Sequence, residues 1–217
     1  MKVGIIGSGI VGQTLGIGFL NEAAEVMLGT RNPSKEEVMK WQAENPSGKT
    51  GTFEEVASFG DVLVLAIPGS AVMDAIKLAG KEKFKNKVVI DATNPIASAP
   101  PVNGVLKFFT DLNESLMEKT QKEIPDAKLV KAFNSVGNSF FYKPDLAGMP
   151  PSMFICGNDE DAKKTVSKIL ESFGWEVEDM GKIEAARAIE PLCMLWCIPG
   201  LLRNEWQHAF KLLKMMK

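Results

Sequence analysis

Short, continuously apolar runs alternate along the chain with longer segments of helical periodicity. Val62–Ile67, for example, reads Val-Leu-Val-Leu-Ala-Ile and shows no polar alternation. Strands that are apolar on both faces are typical of parallel sheets covered by helices on both sides. The pattern predicts strands at Val3–Ile6, Glu25–Leu28, Val62–Ile67, Lys87–Asp91, Lys128–Ala132, Met153–Cys156 and Trp175–Glu178.

Helices are predicted between these strands. The first begins inside a glycine loop and runs to about Asn21, and the second begins near Pro33, where a proline followed by acidic residues suits a helix start. The others cover Thr52–Phe59, Ser70–Ala79, Asp159–Phe173 and the chain from Ile183 to Lys217, whereas Ser98–Asn103 is predicted to be a loop. This alternation predicts an α/β fold with a Rossmann-like, doubly wound and mostly parallel sheet. We expect one Rossmann-like domain over residues 1–182 and a small C-terminal helical segment, 183–217, packed on it.

Composition and charge narrow the classes of partner. The 25 basic and 27 acidic residues give a net charge of −2, so no basic excess favours a nucleic-acid partner. Three cysteines cannot close a disulfide framework and match no metal-ligand spacing, so we expect no metal and a reducing compartment. The N-terminus lacks the features of a signal peptide, and the longest apolar run, Leu192–Ile198, is shorter than the roughly 20 residues of a membrane span. We therefore expect a cytoplasmic protein without a membrane partner.

A glycine motif follows the first predicted strand. Residues 7–12 read Gly7-Ser8-Gly9-Ile10-Val11-Gly12, a G-x-G-x-x-G sequence that is a weak signal alone. Directly after a strand and at the start of a helix, it allows a tight turn, close approach to a pyrophosphate and close helix–strand packing. We predict a dinucleotide site that includes Gly7 to Val11; the alternative is a glycine-rich turn without a ligand.

The end of the second predicted strand indicates which dinucleotide binds. NAD-binding folds place an acidic residue about 20 residues beyond the glycines, to hold the ribose 2′-hydroxyl. This chain instead has Gly-Thr-Arg-Asn-Pro-Ser-Lys at positions 29–35. Arg31 suits a 2′-phosphate, and the neighbouring candidate donors are Thr30, Asn32, Ser34 and Lys35. We predict a preference for NADP(H); the alternative is a solvated Arg–Lys pair.

Later strand ends supply candidates for the nicotinamide half of the site. Ligands of open α/β sheets bind beyond the carboxyl ends of the strands, which here carry Ile67, Pro68, Asn94, Pro95, Ala132 and Asn134. Ordinary turn chemistry is an equally good explanation of each loop. No catalytic residue is assigned, because the single histidine, His208, lies in the C-terminal block and Tyr142 lacks a Tyr-x-x-x-Lys partner. The lack of an acid–base group suits hydride exchange between two bound rings, which depends on proximity and orientation.

These motifs together resemble the NADPH-dependent reductases of the deazaflavin coenzyme F420, and also the oxidoreductase domain of the six-transmembrane metalloreductases. The resemblance covers nearly the whole chain, including Gly-Thr-Arg-Asn-Pro, Ala-Ile-Pro, Asp-Ala-Thr-Asn-Pro, Lys-Ala-Phe-Asn-Ser and Arg-Ala-Ile-Glu-Pro-Leu. It implies NADP(H) as cofactor and a second ring, deazaflavin or flavin, near Ser135, Leu192 and Leu195. Val136-Gly137-Asn138 departs from the family pattern and leaves the identity of that ring open.

The hypothesis that follows is an NADP(H)-dependent oxidoreductase that exchanges hydride with a deazaflavin or flavin-like small molecule. One alternative is a reductase of a small imine or carbonyl compound, although the roughly 35 residues after Ile183 are few for the helical domain of such enzymes. Another is a dinucleotide-binding redox sensor without turnover. The C-terminal segment with Trp196 and Trp206 also allows a homodimer face, with burial in the core as the alternative.

Overall fold

The computed structural model describes residues 1–146 and 148–215. The strands are β1 (Lys2–Ile6), β2 (Glu25–Gly29), β3 (Lys49–Gly51), β4 (Val62–Leu65), β5 (Val88–Asp91), β6 (Lys128–Lys131), β7 (Ser152–Ile155) and β8 (Glu176–Asp179). The α-helices are α1 (Ile10–Asn21), α2 (Glu36–Glu44), α3 (Phe53–Phe59), α4 (Val72–Ala79), α5 (Leu116–Glu123), α6 (Glu160–Ser172) and α7 (Ala186–Arg203). Short 3₁₀ turns lie at Gly69–Ala71, Lys81–Phe84, Asn138–Phe140 and Ile183–Ala185.

The strand order places a switch point at the centre of the main sheet. Six parallel strands follow the order β3-β2-β1-β4-β5-β6, so the chain runs outward from β1 to β3 and then returns to β4 on the other side of β1. The strands β7 and β8 form a second parallel pair, joined to β6 by a bridge between Lys131 and Cys156. This arrangement confirms the predicted Rossmann-like fold and directs attention to the carboxyl ends of β1 and β4.

Each predicted strand is present within two residues of its expected bounds, but β3 and α5 were not predicted. The edge strand β3 has only three residues, Lys-Thr-Gly, and carries no apolar run. The helix α5 had a sequence signal, because Ser115 and Glu118 form a capping box. The Ser115 hydroxyl accepts from the Glu118 amide at 3.1 Å, and the Glu118 carboxylate accepts from the Ser115 amide at 2.8 Å.

Two apolar cores lie on opposite faces of the main sheet and explain its continuously apolar strands. In β4, Val62 and Val64 pack on the face with α1 and α6, while Leu63 and Leu65 pack on the face with α3, α4 and α5. All four side chains are buried. Covering both faces leaves the ends of the strands as the open part of the sheet, and this is where a ligand can enter.

The C-terminal block is helical only as far as Arg203, so the prediction of helix is wrong for residues 204–215; positions 216–217 lie outside the described residues. Asn204 adopts a left-handed conformation with φ of 56° and ends α7. The chain then runs extended along β7, where the Ser152 amide donates to the Phe210 carbonyl at 2.9 Å. His208 lies on this segment and stacks on Trp196 with ring centroids 5.0 Å apart.

The helix α7 and the turn before it are long and apolar enough, by length and composition, to cross a membrane, and a third of that stretch is buried in this fold. Within the described chain α7 packs on the main domain: Trp196 lies against Gly137, and the Glu190 side chain is buried with Lys131. A helix that forms a buried ion pair with the sheet is packed as part of the core, and α7 is such a helix in this fold. The proposed division between residues 182 and 183 stays a prediction.

Candidate functional site

The glycine motif forms the turn between β1 and α1, at the switch point of the sheet. Gly7 has φ of 129°, and a Cβ there would lie 2.2 Å from the carbonyl oxygen of Ala66. A Cβ at Gly12 would lie 2.0 Å from the carbonyl oxygen of Gly7. Such distances are far inside van der Waals contact, so the packing of the protein itself requires glycine at both positions.

Gly9 has no such packing requirement. Its φ of −73° suits any residue, and a Cβ there would meet no atom of the described residues within 4 Å. Gly9 is the N-cap of α1, and no side chain caps this helix. The amides of Ile10, Val11 and Gly12 in the first turn therefore point outward from the N-terminal end of the helix, which is also the positive end of the helix dipole. Open space beside these amides fits an approaching phosphate group.

A cleft of about 470 Å³ opens beside this turn. Its lining combines three loops and consists of Gly9, Ile10, Val11, Ala66, Ile67, Pro68, Gly69, Ala92, Asn94 and Ile96. The structure thus brings the predicted residues of the glycine turn together with those after β4 and β5. The mostly apolar wall with one amide suits a flat ring that carries a polar substituent.

Four lining residues were not predicted: Ala66, Gly69, Ala92 and Ile96. Each is within two positions of a predicted residue in the sequence. Their small or aliphatic side chains carry no chemical signal, and only the rule that ligands lie beyond strand ends points to them. Gly69 is also needed for packing, because a Cβ there would lie 2.1 Å from the carbonyl oxygen of Asn94.

The tip of β2 lies on the same edge of the sheet, beside the glycine turn. The amide of Gly7 donates to the carbonyl of Gly29 at 3.2 Å, which joins the two loops. The Thr30 hydroxyl accepts from the Asn32 amide at 3.1 Å, and the Asn32 side-chain oxygen accepts from the Ser34 amide at 3.0 Å. These local bonds fold the loop back on itself and explain why Thr30 is buried while the next residues are exposed.

Arg31 and Lys35 both project from this loop, but they differ in their ion pairing. Arg31 is exposed, and no ion pair within the described ranges includes it. Lys35 is the N-cap residue of α2, and its ammonium lies 2.9 Å from a carboxylate oxygen of Glu37. Of the two predicted cations, Arg31 is therefore the one that a phosphate can engage without competing with a neighbouring carboxylate.

Asn134 supports the cleft from behind. The Asn94 amide nitrogen donates to the Asn134 backbone carbonyl at 2.8 Å, and the Asn134 amide nitrogen donates to the Asn94 side-chain oxygen at 3.2 Å. Asn134 also donates to the carbonyl of Ile189 in α7 at 3.0 Å. This reciprocal pair fixes the orientation of the Asn94 side chain that faces the cleft.

Other predicted site residues do not line the cleft. The side chains of Pro95, Ala132 and Ser135 are buried, and Ser8 is half-buried with its carbonyl accepting from Gln13 at 2.9 Å. Leu192 is half-buried and Leu195 is 54 % exposed, both outside the cleft lining. The structure therefore separates the predicted second-ring residues from the residues around Gly9.

A buried charged cluster lies next to the cleft and was missed in the sequence. The Lys131 ammonium lies 2.8 Å from Asp91 Oδ2 and 3.0 Å from Glu190 Oε1, and it donates to the Thr93 carbonyl at 2.9 Å. Burial opposes charge on Lys131, but the two carboxylates outweigh it and raise the pKa of the ammonium above its ordinary value. The sequence signal that could have revealed this cluster is the charged residue at the end of each of the apolar strands β5 and β6.

Comparison with known proteins finds chains that are similar to this one over 90% or more of its length, and three of them are described here. The crystal structure of an Arthrobacter sp. FB24 protein, provisionally described as an F420-dependent NADP-reductase, matches with a TM-score of 0.92 and 30% identity, covering 99% of this chain and 100% of that one. An F420-dependent NADP reductase of Methanocaldococcus jannaschii is 28% identical over 205 residues, 90% of each chain. The metalloreductase STEAP3 of Rattus norvegicus is 29% identical over 206 residues, 93% of this chain; this chain spans only 39% of that protein's length.

A family model for NADP oxidoreductases, coenzyme F420-dependent, matches residues 2–95. This range contains β1 to β5, the tip of β2 and every cleft-lining residue except Ile96. The model and the full-length structural match confirm the resemblance found in the sequence motifs. The chain belongs to the family of coenzyme F420-dependent NADP oxidoreductases.

Proposed function

We propose that this protein is an NADP(H)-dependent oxidoreductase that transfers hydride between NADP(H) and a deazaflavin, coenzyme F420, or a flavin-like acceptor. The observation that carries the proposal is the uncapped start of α1 at Gly9, which opens into an apolar cleft at the switch point. Family membership supports the same reaction. The three cysteines are unpaired, which agrees with the proposed cytoplasmic location.

The glycine turn and the tip of β2 would hold the adenosine and pyrophosphate parts of the nucleotide. The amides of Ile10 and Val11 face the space in which a pyrophosphate fits, and Gly9 offers no side chain to obstruct it. Arg31 would form a charge-assisted fork with the 2′-phosphate, assisted by the exposed Asn32 and Ser34.

The cleft beyond the glycine turn would hold the nicotinamide. Ile67 and Pro68 line this part of the cleft together with Ala92 and Asn94. When bound, the reduced nicotinamide supplies the hydride; the protein's task is to orient the ring, hold its carboxamide and exclude water. The position of the second ring near Ser135, Leu192 and Leu195 is a prediction that depends on an approach from the side of α7.

Nucleotide titration tests the cofactor proposal. We expect the wild type to bind NADPH more tightly than NADH, because Arg31 gains a charged partner only from the 2′-phosphate. Arg31→Ala should weaken NADPH binding about ten- to 150-fold and leave NADH binding nearly unchanged. The control is Arg203→Ala, an exposed arginine paired with Glu205 at the far end of α7. Equal affinities for the two nucleotides in the wild type would refute the preference.

Acceptor assays test the reaction. Oxidation of NADPH is followed by absorbance with deazaflavin, free flavins, ferric chelates and a cyclic imine as separate acceptors. We expect turnover with the deazaflavin or a flavin. Turnover with the imine alone would identify a small-substrate reductase, and tight NADPH binding without any turnover would identify a sensor.

A further inference from the structure

The buried cluster beside the cleft contains one cation and two anions. The Lys131 ammonium donates to the Thr93 carbonyl and lies within ion-pair distance of one carboxylate oxygen of Asp91 and one of Glu190. All three charged side chains are at most 2 % exposed. The cluster is thus shielded from solvent, and its charge acts on its surroundings with little screening.

The groups that the structure places around the two carboxylates are hydrogen-bond donors and the Lys131 ammonium. Glu190 accepts from the amides of Leu116 and Met117 at 2.9 and 3.0 Å, in addition to the ammonium. Asp91 Oδ1 accepts from the amide and the hydroxyl of Thr93 at 2.9 and 2.6 Å. One cation and two anions leave the cluster with a net charge of −1.

The first turn of α5 partly compensates the excess negative charge of the cluster. The amides that bind Glu190 belong to the first turn of that helix, whose dipole favours an anion. This partial compensation stabilises the second carboxylate where a single lysine could not. It does not remove the formal charge, since the helix dipole amounts to about half a unit charge.

The cluster lies within one residue of the cleft wall. Asp91 immediately precedes Ala92, and the Thr93 carbonyl held by Lys131 lies between Ala92 and Asn94, both of which line the cleft. A ring in van der Waals contact with Ala92 would lie within roughly 10 Å of the Asp91 carboxylate, since adjacent Cα atoms are about 3.8 Å apart. The nicotinamide ring is a cation when oxidised and neutral when reduced, so its two forms respond differently to a charge at this distance.

We infer that the residual negative charge of the Asp91–Lys131–Glu190 cluster stabilises oxidised nicotinamide relative to reduced nicotinamide. In the forward step the C4–H bond of the reduced ring breaks, both electrons leave with the hydrogen to the acceptor ring, and positive charge develops on the nicotinamide. The cluster therefore favours hydride transfer away from NADPH. The inference rests on the proposed function, because it requires the nicotinamide to lie against Ala92 and Asn94.

The ratio of the dissociation constants for NADP⁺ and NADPH measures this effect without turnover. Glu190→Gln and Asp91→Asn each remove one negative charge and should raise the ratio, weakening NADP⁺ relative to NADPH. A unit charge at about 10 Å with an effective dielectric constant of about 20 to 40 gives an expected change of about four- to fifteen-fold. Two variants are used so that one remains informative if the other does not fold, as checked by circular dichroism.

Two controls separate charge from structure. Thr120→Val removes a buried hydrogen bond to the Leu116 carbonyl but no charge, and Glu184→Gln removes a charge from an exposed residue outside the cluster. Both should keep the wild-type ratio, whatever their effect on melting temperature. A wild-type ratio in folded Glu190→Gln and Asp91→Asn would overturn the inference and leave the proposed function standing. Failure of the wild type to bind either nucleotide would instead overturn the proposed function, and this inference with it.

Discussion

Substitution of Gly9 by alanine tests whether this glycine is required for ligand binding rather than for packing, as other glycines of the motif are. The added Cβ would meet no atom of the described chain within 4 Å, and φ of −73° is allowed for alanine. The smaller entropy of the unfolded chain would stabilise the variant by about 0.4–1 kcal/mol. Alanine is a poorer N-cap than glycine by a comparable amount, about 0.5–1 kcal/mol. We therefore expect the free energy of unfolding to change by less than about 1 kcal/mol.

Gly12→Ala is the matched control in the same motif. Its Cβ would lie 2.0 Å from the Gly7 carbonyl oxygen, so α1 would have to move away from β1. Overpacking of this kind costs about 3 kcal/mol or more, which corresponds to a melting temperature lower by about 6–12 °C in a chain of this size. The two substitutions add the same methyl group three residues apart and should have opposite consequences.

Thermal melts and NADPH titrations of both variants are the assay. Gly9→Ala should melt near the wild type yet bind NADPH about five- to 150-fold more weakly, because the methyl group occupies space proposed for the pyrophosphate and costs about 1–3 kcal/mol. The reasoning is refuted if Gly9→Ala binds NADPH like the wild type, or if it destabilises the protein as much as Gly12→Ala does.

Two further predictions follow from pKa values. Arg187 lowers the pKa of Glu118 to about 2, so this pair stabilises the fold above the ordinary carboxyl pKa and the effect is lost as the pH falls toward 2. Because Arg187 is partly exposed, we expect Glu118→Gln to cost about 1–2 kcal/mol at pH 7 and less at pH 3, in urea unfolding. Burial raises the pKa of the Cys156 thiol to about 12, whereas a hydrogen bond from Cys193 lowers that of Cys197. Iodoacetamide at pH 8 should therefore label Cys197 first, and Cys156 only after unfolding; equal rates would contradict this.

The sheet could be predicted from the sequence because each buried strand carries its own apolar run. The strand Val62–Leu65 is buried on both faces, and it was predicted as Val62–Ile67 from its continuous apolar run. The edge strand Lys49–Gly51 has no such run and depends on its pairing with β2. The C-terminal segment was mispredicted because residues 204–215 are rich in aromatic and aliphatic side chains that suit helix or extended chain. Contacts such as the Ser152–Phe210 hydrogen bond determine the extended form, and they are not visible locally.

The candidate site divides in the same way. The glycine turn and the tip of β2 are each one continuous stretch of sequence, and their residue types indicate phosphate binding. The nicotinamide side depends on contacts between distant parts of the chain, such as Asn94 with Asn134 and Lys131 with Glu190. Glu190 lies 59 positions after Lys131 in a mostly apolar helix, so neither spacing nor periodicity could join them. Only the register of β5 and β6, which pairs Asp91 with Lys131, brings these charges together.

The two halves of the cleft are consequently held by different interactions. The phosphate side depends on backbone geometry, since glycines and local loop hydrogen bonds shape it. The side proposed for the nicotinamide depends on α7, because the Ile189 carbonyl accepts from Asn134 and Glu190 forms an ion pair with Lys131. Loss of one partner from a buried charged cluster costs about 3–5 kcal/mol, so α7 is a structural part of the candidate site although no residue of Ala186–Arg203 lines the cleft. The helix α7 therefore supports the wall of the cleft against which we propose that the nicotinamide lies.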